Sequence, residues 1–355
     1  MKTTRCACNG TLFFGDVSCT NCGRQVVRCA VCEETQSVEP AVDRTLLCQN
    51  PTCGAKLRLC QNAELYAVCN GTIERGAGNP MRCRYCRLNA IVPNLQIKGN
   101  VQKWQALEFA KHRVLAGLEL AGFSLDAAAA SSAHPLRFEF KQDGPRKRVT
   151  TGHWNGTITI RIDEADDVVR ERNRVKFNEA KRTLVDHHRH ELGHYVWDWL
   201  VQPDPAEFRR LFGDERNPTY AAAKKTYYST TTGPDWRKAH VTKYATMHPW
   251  EDFAETFRVY LEMHAAVRTA THFGLIPDTD GTFGGDFRAF LGLGVPITEL
   301  SRDFGLKDIV SASMPEPVRQ KMEFIAGLPS RIPGGNPPLP AAVGQSPRQS
   351  QSQMA

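Results

Sequence analysis

The residues whose types and spacing could do chemistry lie near the middle of the chain, in the run His190-Glu191-Leu192-Gly193-His194. On an α-helix, two histidines four positions apart lie on one face, so both imidazoles can bind the same zinc ion. Glu191 is rotated by about 100° around such a helix and can address a water on the metal. A zinc ion with two neutral ligands stays a strong Lewis acid, so Glu191 is predicted to act as general base.

The flanking sequence predicts the helix that this spacing requires. Thr183 and Asp186 have the spacing of a helix-capping pair, and apolar residues recur at helical intervals until Pro203 ends the pattern. His187 and His188 are expected to be surface histidines without an assigned role. The alternative interpretation of the motif is a solvated, histidine-rich helix.

A third ligand would decide the class of zinc site. The extended metzincin motif requires glycine and histidine where this chain has Trp197 and Leu200, which excludes that class. Farther along, Pro249 is typical of a helix start, and Glu251 and Glu255 would share one face of that helix. Glu251 as the ligand, with Glu255 steadying a ligand histidine, would complete a glutamate-type site.

Two alternatives to this assignment remain open at this stage. Glu251 and Glu255 could be exposed acids that interact with the dipole at a helix start. Glu215 lies twenty-one residues after His194, near the thermolysin-like spacing, but residues 213–218 have the composition of a loop. Glu251 is therefore the preferred third ligand.

All 12 cysteines lie between Cys6 and Cys86. The first residues contain no apolar segment of the length that secretion requires, so a cytoplasmic location with reduced thiols is expected. Closely spaced reduced cysteines indicate structural zinc, held by four thiolates on small β-hairpin ribbons. The order of the cysteines predicts three sets: Cys6, Cys8, Cys19 and Cys22; Cys29, Cys32, Cys48 and Cys53; Cys60, Cys69, Cys83 and Cys86. A grouping that crosses between these sets is the alternative.

The remaining patterns divide the chain. Residues 89–99 are interpreted as a linker, and apolar spacing predicts a helix from Val101 to Gly122. Alternating residues at 136–140 and 156–162 predict an antiparallel sheet. The end of the chain, rich in Pro, Ser and Gln, predicts a disordered tail over residues 327–355.

Three segments together resemble a bacterial family of zinc-binding metallopeptidases that carry N-terminal zinc ribbons ahead of a gluzincin-type zincin domain. These segments are residues 83–89, 189–198 and 248–252. The similarity covers roughly residues 1–325 and includes residues 152–160. By analogy with zincins, the resemblance implies that this last segment forms the sheet edge along which an extended substrate pairs.

Residues 244–251 are also similar to lethal-factor-like zincins, which have a tyrosine seven positions ahead of the ligand glutamate. This resemblance implies that the phenol of Tyr244 donates a hydrogen bond to the oxyanion formed during peptide hydrolysis. The alternative is a tyrosine of the core.

Together these observations predict an α+β fold, with a zinc-ribbon region at 1–98, a zincin-like domain at 99–326 and the tail. The predicted function is hydrolysis of a peptide or protein substrate, with one catalytic and about three structural zinc ions. No transmembrane segment is expected.

The alternative function is binding of protein or nucleic acid through the ribbons, with a non-catalytic zinc at the histidine motif. Residues 1–98 carry twelve Lys and Arg against seven Asp and Glu, a surplus of five positive charges that suits an acidic partner. The basic residues are scattered, however, and a purely structural zinc site has no use for Glu191. The enzyme is therefore the preferred interpretation.

Overall fold

A computed structural model describes residues 1–39, 44–76, 78, 80–131, 133–144, 148–176, 181–230, 235–308 and 313–332. Its strands are β1 Thr4–Arg5, β2 Thr11–Leu12, β3 Gln25–Arg28, β4 Thr35–Val38, β5 Leu46–Leu47, β6 Lys56–Leu59, β7 Thr72–Glu74, β8 Asn89–Ile91, β9 Arg137–Lys141, β10 Gly152–Trp154 and β11 Thr157–Arg161. Its helices are α1 Gln61–Tyr66, α2 Asn100–Leu120, α3 Leu125–Ala130, α4 Asp167–Lys176, α5 Leu184–Val196, α6 Ala206–Phe212, α7 Tyr220–Ser229, α8 Pro249–His272, α9 Phe283–Asp303 and α10 Glu316–Gly327. The predicted α+β class is confirmed.

The cysteine-rich region consists of small antiparallel sheets, as expected for zinc ribbons. Strand β1 pairs with β2, β3 pairs with β4, and β5, β6 and β7 form a third sheet. The first two cysteine sets line two small cores beside these strands, whereas the third set belongs to the large core of the following domain. Such small cores have little apolar area to bury and depend on metal for stability.

The predicted linker at 89–99 is wrong in its first part. Strand β8 pairs in parallel with β9 and forms one edge of a sheet with the order β10-β11-β9-β8. Residues 89–91 are therefore part of the sheet of the second domain, although they lie within the predicted ribbon region. This edge strand was not predicted, because three residues are too few to show a hydrophobic pattern.

The predicted antiparallel pairing of residues 136–140 with residues 156–162 is also wrong, because β9 and β11 are parallel. Alternation in sequence indicates which face of a strand is buried but not the direction of its neighbour. The direction of β11 is set by its tight hairpin with the intervening edge strand β10. Asn155 and Gly156 form the turn with positive φ values of 49° and 82°, the conformation that a two-residue hairpin prefers.

Helices α5 and α8 pack closely and carry the histidine motif and its candidate third ligand. Thr183 caps α5 by accepting a hydrogen bond from the backbone N–H of Asp186, as predicted. A Cβ on Gly193 would lie only 2.7 Å from Cα of Ala254, so the approach of the two helices requires glycine at this position. His248 caps α8, and Pro249 occupies its first turn as predicted.

The predicted helix after Val101 is confirmed by α2, whose apolar face lies in the core. The packed chain extends beyond the predicted start of the tail, because Leu328–Arg331 form a 3-10 helix and Leu328 and Ile332 are buried. The rest of that predicted tail lies outside the described residues. Among the helices of the described chain, none is both long and apolar enough to cross a membrane.

Candidate metal centre

Three ligand atoms from α5 and α8 converge on one point. His190 Nε2 and His194 Nε2 are 3.1 Å apart, and Oε2 of Glu251 lies 3.1 Å from the first and 3.4 Å from the second. Ligands at zinc distances of about 2.0–2.1 Å in a tetrahedron would be roughly 3.3 Å from one another. Glu251 Oε2 is buried and has no hydrogen-bond partner among the described residues, so this donor set fits a zinc ion.

The surroundings of Glu251 favour its ionised carboxylate, which is the form that binds a metal ion. Burial would raise the pKa of its carboxyl, but His194 and His190 outweigh burial and hold this pKa well below the ordinary value. Its second oxygen, Oε1, accepts a hydrogen bond of 2.8 Å from the hydroxyl of Tyr220. The phenol of Tyr220 thus leaves Oε2 as the oxygen that faces the histidines.

His190 is held from its far side by Glu255. Its Nδ1 lies 2.8 Å from Glu255 Oε1, while Thr242 donates to Glu255 Oε2 at 2.9 Å and Arg258 lies 3.4 Å from the same oxygen. Such a carboxylate fixes the histidine tautomer that turns Nε2 toward a metal. The predicted contact of Glu255 with one of the two histidines of the motif is present.

Glu191 is buried beside the two histidines, with Oε2 unpartnered among the described residues and Oε1 3.5 Å from Nε2 of His187. Its pKa is lowered although burial opposes this, because His187, His190 and His194 favour the carboxylate. The expectation of surface histidines is wrong. His188 is buried near Phe138 and donates from Nδ1 to the Leu184 carbonyl, and His187 lies between two carboxylates.

Tyr244 borders the same site from the 3-10 helix Tyr244–Met247. Its ring centroid lies 6.1 Å from that of His190. Burial, and then the negative charge of Glu251, raise the pKa of Tyr244, so the phenol stays protonated and can donate a hydrogen bond. On the other side, Trp250 stacks on His194 with ring centroids 3.6 Å apart and restrains that imidazole.

Glu215 is placed differently from Glu251. Its carboxylate forms an ion pair of 2.5 Å with Arg209, and its backbone carbonyl accepts a hydrogen bond from His248 Nε2. The Glu215 carboxylate is therefore paired with Arg209 and not directed at His190 and His194. Residue 215 lies between α6 and α7, in agreement with its assignment to a loop.

Sequence patterns did not identify Tyr220, Thr242 or Trp250 as neighbours of the site. Trp250 adjoins Glu251 in sequence and could have been considered for that reason. Tyr220 is 31 positions before its partner Glu251, and no local pattern connects the two.

The twelve cysteines come together in the three predicted sets, each with its sulfur atoms within 4.8 Å of one another. Within the sets, sulfur atoms lie 3.6–3.9 Å apart in the pairs Cys6–Cys22, Cys29–Cys53 and Cys69–Cys86. These separations are far longer than a disulfide bond and match the edge of roughly 3.8 Å expected around zinc with Zn–S of about 2.3 Å.

The third set differs from the others because its sulfurs lie inside the large core. Cys86 Sγ is 3.2 Å from Glu108 Oε1 and 3.5 Å from His112 Nε2, both on α2. Lys111 is fully buried and lies 2.6 Å from the same Glu108 oxygen. The buried ammonium of Lys111 compensates the negative charge of this carboxylate beside the thiolates.

The edge strand β10 runs beside α5. His153 lies 3.6 Å from Asp198 and its ring centroid is 6.0 Å from that of Tyr195, whereas Trp154 is 83% exposed. Of the segment that the resemblance assigned to a sheet edge, β10 is therefore the edge strand next to the candidate metal centre, whereas β11 lies inside the sheet.

Comparisons with known proteins agree with this arrangement. Residues 100–328 match the family described as "Putative zinc-binding metallo-peptidase", and residues 3–97 match a zinc-ribbon domain. The chain is 30% identical to uncharacterized proteins of Mycobacterium tuberculosis and Mycobacterium bovis, over 87% of this chain and 94% of each relative. No solved structure gives a significant match. The protein belongs to this zinc-binding metallopeptidase family and has a zinc-ribbon domain ahead of the peptidase region.

Proposed function

We propose that this protein is a zinc-dependent peptidase of the gluzincin type, with His190, His194 and Glu251 as ligands of the catalytic zinc. The observation that carries the proposal is the convergence of three ligand atoms within 3.4 Å, beside the buried carboxylate of Glu191. A zinc ion bound there supplies a Lewis acid that makes water nucleophilic near neutral pH.

The side chains of the site have separate roles in this proposal. Glu191 takes the proton of the attacking water and passes it to the leaving amine, because its Oε2 has no competing partner among the described groups. Tyr244 donates a hydrogen bond to the oxyanion that develops on the substrate carbonyl. Glu255 keeps His190 in the required tautomer.

We further propose that the substrate is a peptide segment in extended conformation, which pairs with the free edge of β10. An edge strand offers backbone donors and acceptors to a peptide, and this one lies against the helix that carries the histidines. The exposed indole of Trp154 would then adjoin the bound peptide.

Glu191→Gln tests the enzymatic role directly. The amide has nearly the same size as the acid but cannot accept the proton, so zinc content and folding should persist while hydrolysis of a peptide library is lost. Wild-type protein from which a chelator has removed the zinc is the inactive control, and it should also fail to hydrolyse the library. Undiminished hydrolysis by the variant would exclude Glu191 from the mechanism, and simultaneous loss of zinc would assign it a structural role.

A further inference from the structure

Glu191 is in contact with a second titratable pair that the mechanism above does not use. His187 is one helical turn before Glu191 on α5, and its Nε2 lies 3.5 Å from Glu191 Oε1. Its other ring nitrogen, Nδ1, lies 3.6 Å from Oε2 of Glu164. The imidazole thus bridges two carboxylates, one of which is the proposed base.

Glu164 is itself held firmly. It is buried in the 3-10 helix Ile162–Ala165, and its Oε1 accepts a hydrogen bond of 3.2 Å from Arg182. Its backbone carbonyl accepts another, of 2.8 Å, from Arg170. Glu164 can therefore act as a fixed anchor for the His187 ring.

The polar atoms along this array are buried and incompletely paired. Glu164 Oε2, His187 Nδ1 and Glu191 Oε2 have no hydrogen-bond partner within the part of the chain that the structure describes. A buried polar atom without a partner is costly, so its retention points to a use. Contacts of 3.5–3.6 Å are slightly too long for hydrogen bonds, and such contacts often tighten when an active site is loaded.

We propose that His187, anchored by Glu164, is a positioning residue that holds the Glu191 carboxylate in one orientation. This inference rests on the proposed function, because it requires Glu191 to be the general base. A donor on Oε1 keeps that oxygen engaged, so Oε2 faces the substrate side. Without it, the carboxylate could rotate among several orientations and would spend less time in the productive one.

The electrostatic surroundings agree with this geometry. Burial lowers the pKa of His187, but Glu164 and Glu191 outweigh burial and raise it above the ordinary value. A protonated imidazole has two N–H donors, one for each carboxylate, whereas a neutral imidazole has one.

Four variants test the proposal: His187→Leu removes both ring donors, His187→Gln retains one donor, Glu164→Gln weakens the anchor, and His187→Leu is combined with Glu164→Gln. For His187→Leu we expect kcat to fall about 10- to 100-fold, while KM stays within about twofold and zinc content is unchanged. His187→Gln should recover most of kcat, which mere loss of packing would not explain.

Glu164→Gln should have a smaller effect than His187→Leu and no further effect when both changes are present, because Glu164 acts through His187. His264→Gln is the control, since His264 is a buried histidine thirteen residues beyond Glu251 on α8, or about 20 Å along the helix. Wild-type kcat in His187→Leu, or additive losses in the double variant, would overturn the proposal.

A structural measurement separates failure of this inference from failure of the proposed function. In crystals of zinc-loaded protein, Glu191 should be within hydrogen-bond distance of His187 in the wild type and should change its side-chain orientation in His187→Leu. This comparison does not depend on turnover, so it decides the positioning role even if no peptide is hydrolysed. An unchanged Glu191 orientation in the variant would refute that role.

Discussion

Nδ1 of His190 lies 2.8 Å from Oε1 of Glu255, although the two residues are 65 positions apart in the chain. The contact joins the helix of the histidine motif to the helix of Glu251, the proposed third ligand, and one ring nitrogen of His190 is thereby paired with Glu255. The other ring nitrogen is then the one that faces Glu251 and His194.

Replacement of Glu255 by Gln should weaken zinc binding at the histidine site by roughly 10- to 100-fold, because the ring loses the carboxylate that fixes its tautomer. A competition titration of metal-free protein with a calibrated zinc chelator measures this change. Glu207→Gln on α6 is the control, since Glu207 pairs with Arg210 at the surface. Equal zinc affinity in the two variants would contradict the role of Glu255.

Glu251→Ala and Glu215→Ala should behave differently, because Glu251 approaches both ligand histidines whereas Glu215 is paired with Arg209. The first variant is expected to lose one zinc ion per chain and the second to retain all of them. Elemental analysis of the purified variants checks this expectation. Retention of the ion in Glu251→Ala would require a different third ligand.

Substitutions of the two tyrosines near Glu251, Tyr244 and Tyr220, should affect different properties of the site. Tyr244→Phe should keep zinc but lose roughly a hundredfold or more in turnover, the size expected for one oxyanion donor. Tyr220 donates to Glu251, so Tyr220→Phe should lower zinc affinity by about tenfold or more while turnover per bound zinc changes little. Steady-state kinetics normalised to zinc content distinguish the two. If Tyr244→Phe turns over normally, its phenol is a packing group.

Four zinc ions per chain are expected, one at the histidine site and three in the cysteine sets. Chelator should empty the first cysteine set before the third, because Cys22 is exposed whereas all four cysteines of the third set are buried. Timed alkylation followed by peptide mapping would show the order in which thiols become reactive. A total near one zinc ion, or earlier labelling of Cys60 than of Cys22, would contradict this assignment.

Local patterns were sufficient for the elements that carry the metal centre. The capping residue Thr183, the histidine spacing and Pro249 at a helix start predicted α5 and α8, because each signal acts within one or two turns. The grouping of the cysteines could be predicted for a similar reason, since each set consists of short, closely spaced segments.

Relationships between distant segments were harder to predict. The parallel pairing of β9 with β11 depends on the hairpin that β10 forms with β11, and the contact of Tyr220 with Glu251 joins the first residue of α7 to α8. His187 is half-buried and lies next to Glu164, which precedes it by 23 positions. Polar composition indicated a surface residue there, but the specific carboxylate partners offset the cost of burial.

The third cysteine set bears on how the two regions of this chain can be inherited. Its Cys86 sulfur lies against Glu108 and His112 of α2. All four cysteines of this set belong to the same hydrophobic core as α5, the helix of the histidine motif. A gene that lacked the codons for residues 1–98 would encode a peptidase region in which the buried side chains of Glu108, Lys111 and His112 are no longer covered by the third cysteine set. The third ribbon is thus part of the packing of the peptidase region. Recombination that separated this ribbon from the peptidase region would lower the stability of both, so the two should be inherited together.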